Sequence, residues 1–257
     1  SFPTAEEELA SQSWGGRAPP GAITTLYVEA ATGDLLAGTG AGYLARFHGG
    51  AWWLVNRFPG AVTALAARGD GLWVGTSAGL FRLDGERSLP VEPLAATPIH
   101  ALATDGALLW IGSELGLWRQ TEGRPQQVSL RIDRKQQPIS EPVHAIWRQN
   151  DKVLWFGRGA MLVRYDLQLN LGTLYDSLGA AAGAGEQILA ITGNEETLWL
   201  TGARNAVRYA LFAGGLGDDS ETFGAGIPNP LETATLRTLA LDEAGTVWFA
   251  TQTGVYR

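Results

Sequence analysis

The stretch Leu72-Trp73-Val74-Gly75-Thr76-Ser77-Ala78-Gly79-Leu80-Phe81-Arg82 reads as two short apolar strands joined by a turn of small residues. Its first half recurs through the chain. It appears as Leu35-Leu36-Ala37-Gly38-Thr39, Leu109-Trp110-Ile111-Gly112-Ser113 and Leu154-Trp155-Phe156-Gly157-Arg158, then as Leu198-Trp199-Leu200-Thr201-Gly202 and Val247-Trp248-Phe249-Ala250-Thr251. The tryptophan column, with Leu36 in the first copy, advances by 37, 37, 45, 44 and 49 residues. A fixed period of this length is the signature of a repeat architecture, and it takes precedence over any local reading.

A second apolar strand precedes each anchor, starting near Ile23, Val62, Ile99, Val143, Ile188 and Leu236. A third follows it, as in Gly79-Leu80-Phe81-Arg82-Leu83 and Gly116-Leu117-Trp118-Arg119. A weaker fourth comes next, as in Trp52-Trp53-Leu54-Val55 and Gln127-Val128-Ser129-Leu130. Four short strands per repeat make a propeller blade. A β-helix has much shorter turns than this period. The expectation is therefore an all-β, six-bladed β-propeller occupying residues 1–257 as one domain. The sixth copy ends at Arg257 after its third strand, so residues 1–22, with Ser11-Gln12-Ser13-Trp14, are expected to supply the closing strand of the last blade. Tryptophan should fill the gap between blades, and the glycine that closes each anchor should permit the turn into the third strand.

Composition narrows the function classes. With a net charge of −7 and no basic run, the chain is not expected to bind nucleic acid, which needs a basic face. No apolar run approaches a membrane span, so direct insertion is not expected. The absence of cysteine excludes disulfides, zinc thiolates and thiol catalysis. The start at Ser1-Phe2-Pro3-Thr4, without Met, looks like a processed end and points to a periplasmic or extracellular protein.

The pattern from Leu72 to Arg82 resembles the two-component regulator propeller repeat. Leu109 to Arg119 resembles it nearly as well, and Asp242 to Arg257 carries a longer form with Asp242, Gly245 and Gly254. Met161 and Asn205 stand where that repeat has glycine, so the fourth and fifth copies are degenerate. The resemblance implies a propeller of the extracytoplasmic sensor type, usually joined to a membrane helix and a kinase or similar output. It also implies that ligands use the face carrying the turns between second and third strands. One fold hosts many functions, so the resemblance speaks for architecture first.

Two sets of residues should ring the opening on that face. The first follows the opening residue of each first strand: Thr24, Thr63, His100, His144, Leu189 and Arg237. His100, His144 and Arg237 suit an anion or polar ligand; the same positions also suit polar caps at a wet entrance. The second set lies after the anchors. Gly40 and Ser77 are bland there, whereas Glu114, Arg158, Arg204, Asn205 and Gln252 are not. They suit a chemically richer side of the opening, or ordinary solvated loops. The long connections Asp133 to Pro142, Asp176 to Gln187 and Gly214 to Thr235 lead to the same face as extended loops. Arg46, Arg82, Arg119, Arg164, Arg208 and Arg257 form a column expected to be structural, by pairing with acids or lying over a neighbouring strand. Trp52 and Trp53 must point to opposite faces of their strand, so one is expected to be buried and the other at least partly exposed, where it suits a partner protein or a sugar, or, the favoured expectation, packing against the neighbouring blade.

No Gly-x-Ser-x-Gly elbow, His-Glu-x-x-His or phosphate loop is present. His100 and His144 could join Glu114 or Glu141 at a metal, as in lyase propellers of similar fold, but no spacing demands it; no metal and no cofactor are expected. Three readings stay open. The first is a non-catalytic exported subunit or scaffold that docks onto another protein, possibly in a membrane or extracellular complex. The second is a ligand-binding sensor domain that takes a small molecule. The third is a metal-assisted lyase or hydrolase.

Overall fold

The computed structural model describes all residues except 1–12, 70, 86, 106, 176–186, 213–214, 225–234, 243 and 252–253. Among the described residues there is no helix; twenty-six strands form six sheets, the blades of a six-bladed β-propeller. Blade 1 comprises β1 (Ser13–Gly15), β2 (Ile23–Val28), β3 (Leu35–Thr39), β4 (Tyr43–His48) and β5 (Ala51–Arg57). Blade 2 comprises β6 (Val62–Arg68), β7 (Gly71–Thr76), β8 (Gly79–Asp84) and β9 (Arg87–Pro90). Blade 3 comprises β10 (Ile99–Thr104), β11 (Leu109–Ser113), β12 (Gly116–Gln120) and β13 (Gln126–Gln127). Blade 4 comprises β14 (Ser129–Ile132), β15 (Lys135–Pro138), β16 (Val143–Arg148), β17 (Val153–Arg158), β18 (Met161–Asp166) and β19 (Leu171–Tyr175). Blade 5 comprises β20 (Ala190–Gly193), β21 (Thr197–Thr201), β22 (Asn205–Phe212) and β23 (Gly215–Gly224). Blade 6 comprises β24 (Leu236–Leu241), β25 (Val247–Thr251) and β26 (Val255–Tyr256). The chain divides into two compact units, residues 1–127 with blades 1 to 3 and residues 128–257 with blades 4 to 6.

Within each unit the core lies between successive blades. Leu36 and Leu44 of blade 1 pack with Val62, Leu65, Val74 and Phe81 of blade 2. Trp73 and Leu80 of blade 2 pack with Ile99, Leu109 and Ile111 of blade 3. In the second unit, Trp155 and Leu162 meet Ile191, Leu200 and Val207, and Trp199 meets Leu236, Leu239 and Phe249. The tryptophan and arginine columns are explained together. Trp73 lies directly opposite Arg82, Trp110 opposite Arg119, Trp155 opposite Arg164 and Trp199 opposite Arg208 in the antiparallel ladders. Directly opposed residues share a face of the sheet, so each guanidinium stem lies beside an indole. Arg46, opposite Leu36, reaches Glu29 at 3.5 Å and Asp34 at 3.9 Å; Arg208 reaches Glu221 at 2.8 Å.

The anchor glycine has a different role from the one its position suggests. Gly38, Gly75 and Gly157 lie inside the ladder, without positive φ, with Val62, Ile99 and Ile188 from the opening of the next repeat pressed against them. A Cβ on Gly38 would come within 2.5 Å of Val62, one on Gly75 within 2.7 Å of Ile99, and one on Gly157 within 2.8 Å of Ile188. The glycine is therefore a close-approach site between blades. The turn itself is made by the later glycine: Gly42, Gly79 and Gly254 hold positive φ.

Three sequence expectations are corrected. The described part of the N-terminal segment does not join the last blade: Ser13 pairs with Trp53 and Gly15 with Trp52, on the outer edge of blade 1. Ser13 Oγ donates to the Trp52 carbonyl at 3.2 Å, and the Trp14 ring meets Tyr43 edge-on at 5.8 Å, which holds the strand there. Residues 1–12, on which the rest of that expectation falls, lie outside the described residues. Second, Asp133 to Pro142 is largely not loop. Ile132 pairs with Lys135 across Asp133 and Arg134, both at positive φ, a two-residue hairpin turn. The β14–β15 hairpin widens blade 4 through a parallel contact of Arg131 with Leu171, burying Leu130 and Ile132 over Gly172. Third, the fourth strand of blade 3 stops at Gln127: Ser129 and Leu130 belong to β14, which pairs with β15 and β19 in the sheet of blade 4. The expected loops at 176–187 and 214–235 fall mostly outside the described residues; their described part includes β23.

Candidate functional site

In five of the six blades the first strand pairs with its anchor through one irregularity at the same place; the β20–β21 pairing of blade 5, which starts at Ala190 after Leu189, has none. The register slips between Ile23 and Thr25, Val62 and Ala64, Ile99 and Ala101, Val143 and Ala145, and Leu236 and Thr238. The bulged residues are Thr24, Thr63, His100, His144 and Arg237, the first column read from the sequence. A bulge releases one residue from the ladder and re-aims its side chain, which is why this position varies freely in chemistry while its neighbours do not.

In blades 1 and 2 the column is structural. Thr24 Oγ1 donates to the carbonyls of Gly38, at 3.0 Å, and of Val62. Thr63 Oγ1 donates to the Ile99 carbonyl at 2.6 Å. Each hydroxyl thus ties its blade to the first residue of the next. In blade 3 the bulge holds His100, half-buried, whose Nε2 lies 3.1 Å from Glu114 Oε2. Glu114 is placed by its own backbone: its N–H donates to the Pro98 carbonyl at 3.0 Å, just ahead of the bulge. An imidazole and a carboxylate therefore replace a threonine tie at the mouth of blade 3.

Blade 4 departs from the pattern at a second position. The anchor ends in a hydroxyl residue in blades 1, 2, 3 and 6, namely Thr39, Thr76, Ser113 and Thr251. Thr76, Ser113 and Thr251 cap the following turn by donating to the carbonyls of Gly79, Gly116 and Gly254 at 2.8, 3.1 and 3.0 Å. Blade 4 has Arg158 there, paired in the ladder with Val143. Its guanidinium donates to Glu141, whose carboxyl is held below the ordinary carboxylate range chiefly by that bond. His144 is the half-buried bulged residue of the same blade. In blade 6, Arg237 is exposed at its bulge; the Leu236 N–H before it donates to the Ala203 carbonyl at 2.9 Å, which sets Arg204 and Arg237 on either side of one backbone bond. Arg204 is exposed and Asn205, which opens β22, is half-buried. Gln252 lies outside the described residues. On this face the second unit thus carries His144, Arg158, Arg204 and Arg237 with Glu141 as the ion-paired carboxylate.

Trp52 and Trp53 alternate as expected. Trp52 is half-buried against Phe47, ring centroids 5.1 Å apart; Trp53 is 42% exposed, between Arg46 and Ser13 in the ladder. The sequence missed the role of Thr24 and Thr63 as blade ties and the substitution of Arg158 for a capping hydroxyl. A strict column alignment at the anchor's last position carries the second signal.

No protein-family profile and no curated protein sequence matches the chain. Among solved structures, it is similar to two extracellular domains from B. thetaiotaomicron assigned to the hybrid two component systems BT4673 and BT3049. Each has a TM-score of 0.69 and 17% identity, over 91% and 94% of this chain. The chain spans about a third of the length of those proteins, 32% and 33%. It is also similar, with a TM-score of 0.69 and 13% identity over 91% of its length, to a chain of the mitotic checkpoint complex, of which it covers 74%. At these identities the likeness concerns the fold.

Proposed function

We propose that this propeller is the non-catalytic, ligand-binding domain of an extracytoplasmic sensor, taking an anionic or polar small molecule at the bulge face. One observation carries this reading: where blades 1 and 2 use threonine ties and the repeat uses hydroxyl caps, blades 4 and 6 of the second unit place His144, Arg158 and Arg237. Side chains that replace a stabilising repeat residue with a charge are the ones a binding site requires. Arg204 and Asn205 follow the anchor of blade 5 in the same unit. The likeness to extracellular domains of two component systems supports the reading, and it implies a periplasmic or extracellular setting. Among the described residues no helix is long and apolar enough to cross a membrane.

The test is thermal shift and calorimetry with a panel of carboxylates, phosphates and sulfated and neutral oligosaccharides. The wild type should gain stability with at least one anionic ligand. The double variant His144→Ala, Arg237→Ala should lose that gain while keeping its melting temperature without ligand. Arg158→Thr should likewise lose ligand binding, yet match or exceed the wild-type melting temperature, because it restores the turn cap. Binding unchanged in both variants would sink the assignment.

A second reading, a docking subunit of a protein assembly, is favoured by exposed Trp53 and by the checkpoint-complex likeness. It expects Trp53→Ala to release a companion protein that co-purifies with the wild type.

A further inference from the structure

Blade 4 departs from the repeat at two positions that meet in space. In blades 1 to 4 the residue after the anchor donates its N–H to the carbonyl just ahead of the first strand. Gly40 donates to Ala22, Ser77 to Ala61, Glu114 to Pro98 and Gly159 to Pro142, at 2.8, 2.9, 3.0 and 3.3 Å. That bond brings the anchor's last residue near the residue two before the strand. Blades 1, 2 and 3 hold Thr39 with Gly21, Thr76 with Gly60 and Ser113 with Thr97 at these places, none of them charged. Blade 4 holds Arg158 with Glu141, joined by an ion pair between Nη2 and Oε1. Both groups reach solvent, the side chains being 13% and 46% exposed, so a dissolved molecule can meet them. The carboxyl of Glu141 is held below its ordinary range first by Arg158, so it is ionised and engaged at neutral pH. The contact is one-point, since Glu141 Oε2 accepts no hydrogen bond among the described residues. A guanidinium can donate to an oxyanion from two nitrogens in parallel, which is the stronger arrangement. The carboxylate is therefore open to exchange for an anion that makes both contacts.

We propose that Glu141 is a built-in competitor at the bulge face: its carboxylate occupies Arg158 until the anionic group of a ligand displaces it. This rests on the anion-binding reading of that face. A ligand that must wait for an open site is weakened by the fraction of time the site is open, so a pair closed about nine-tenths of the time weakens it about tenfold. The competitor also selects, because a neutral molecule cannot replace the carboxylate's charge against the guanidinium. Inorganic phosphate is the probe, titrated by calorimetry into the full chain at constant ionic strength. Glu141→Gln keeps the side chain's size and an acceptor for Arg158 while removing the charge. It should bind phosphate at least about tenfold more tightly than the wild type. Glu141→Thr, which installs the residue type found at position 97 in blade 3, should gain likewise and keeps the test decisive if the glutamine variant fails to fold. Adding Arg158→Thr to either variant should abolish the gain. A gain that survives Arg158→Thr would overturn the proposal, because it would report the lost negative charge and not a freed guanidinium. Wild-type phosphate binding that neither Glu141 variant improves would overturn it too, while leaving the anion-binding reading in place. So would the absence of phosphate binding by both Glu141 variants at tens of millimolar; the ligand panel on the wild type then decides separately whether the face binds anions.

Discussion

Replacing Gly75 by alanine adds one methyl group at the seam between blades 2 and 3, where there is no room for it. The new Cβ would lie 2.7 Å from Ile99 Cγ2, 3.1 Å from Ile99 Cβ and 3.4 Å from Ala64 Cβ. Ile99 is fully buried and β-branched, so its rotamer cannot swing aside cheaply. Overpacking of this kind costs about 1–3 kcal/mol. Gly75 has no positive φ, so alanine also stiffens the unfolded chain and returns about 0.4–1 kcal/mol. The net expectation is a loss of about 1–2 kcal/mol, a melting temperature lower by roughly 2–8 °C for a chain of this size. Gly16→Ala serves as the control, since nothing lies within 4 Å of its added methyl and its φ is ordinary. It should be neutral or slightly stabilising. The decisive assay is a double-mutant cycle by scanning calorimetry with Ile99→Ala, which by itself should cost about 2–5 kcal/mol. Once the isoleucine methyls are gone the Gly75 methyl has space, so the double variant should be more stable than the sum of the singles by about 1 kcal/mol or more. Strict additivity, or a stabilised Gly75→Ala, would refute the view that this glycine exists for close approach.

Thr63→Val keeps the shape of the bulged side chain and removes its donation to the Ile99 carbonyl. A loss of about 1 kcal/mol, read as a lower melting temperature, is expected, and an unchanged value would count against the blade-tie role. Asp34 is held below its ordinary value of 3.8, first by its bond to His48 Nδ1 at 2.7 Å and then by the charges of His48 and Arg46. A depressed carboxyl contributes stability that is complete above its unfolded pKa and is lost as pH falls through the folded one. Carboxyl-carbon NMR should therefore place the Asp34 midpoint under 3.8 in the wild type and move it upward in His48→Ala; a midpoint that does not move would refute the pairing.

Much of the fold could be read directly from residue columns. Val62, Ile99, Val143 and Leu236 open their strands where the repeat puts them, because alternation and turn residues are local properties that recur in every copy. Arg158 was legible as an unusual residue but not as a replaced cap, since the caps at Thr76 and Ser113 are visible only once the turn hydrogen bonds are known. The segment at Asp133 to Pro142 misled for the opposite reason. Its polar composition reads as loop, yet Asp133 and Arg134 take positive φ and let a hairpin form.

By itself the sequence determined the repeat, the all-β class, the number of blades, and the column that carries His100, His144 and Arg237, because each follows from period and spacing along the chain. Tertiary structure alone decided what lies across a seam. It placed Ser13–Gly15 on blade 1, set Ile99 against Gly75, and paired Arg158 with Glu141. Those pairings join residues far apart in the chain, and packing, volume and hydrogen-bond satisfaction select them only after the blades have formed.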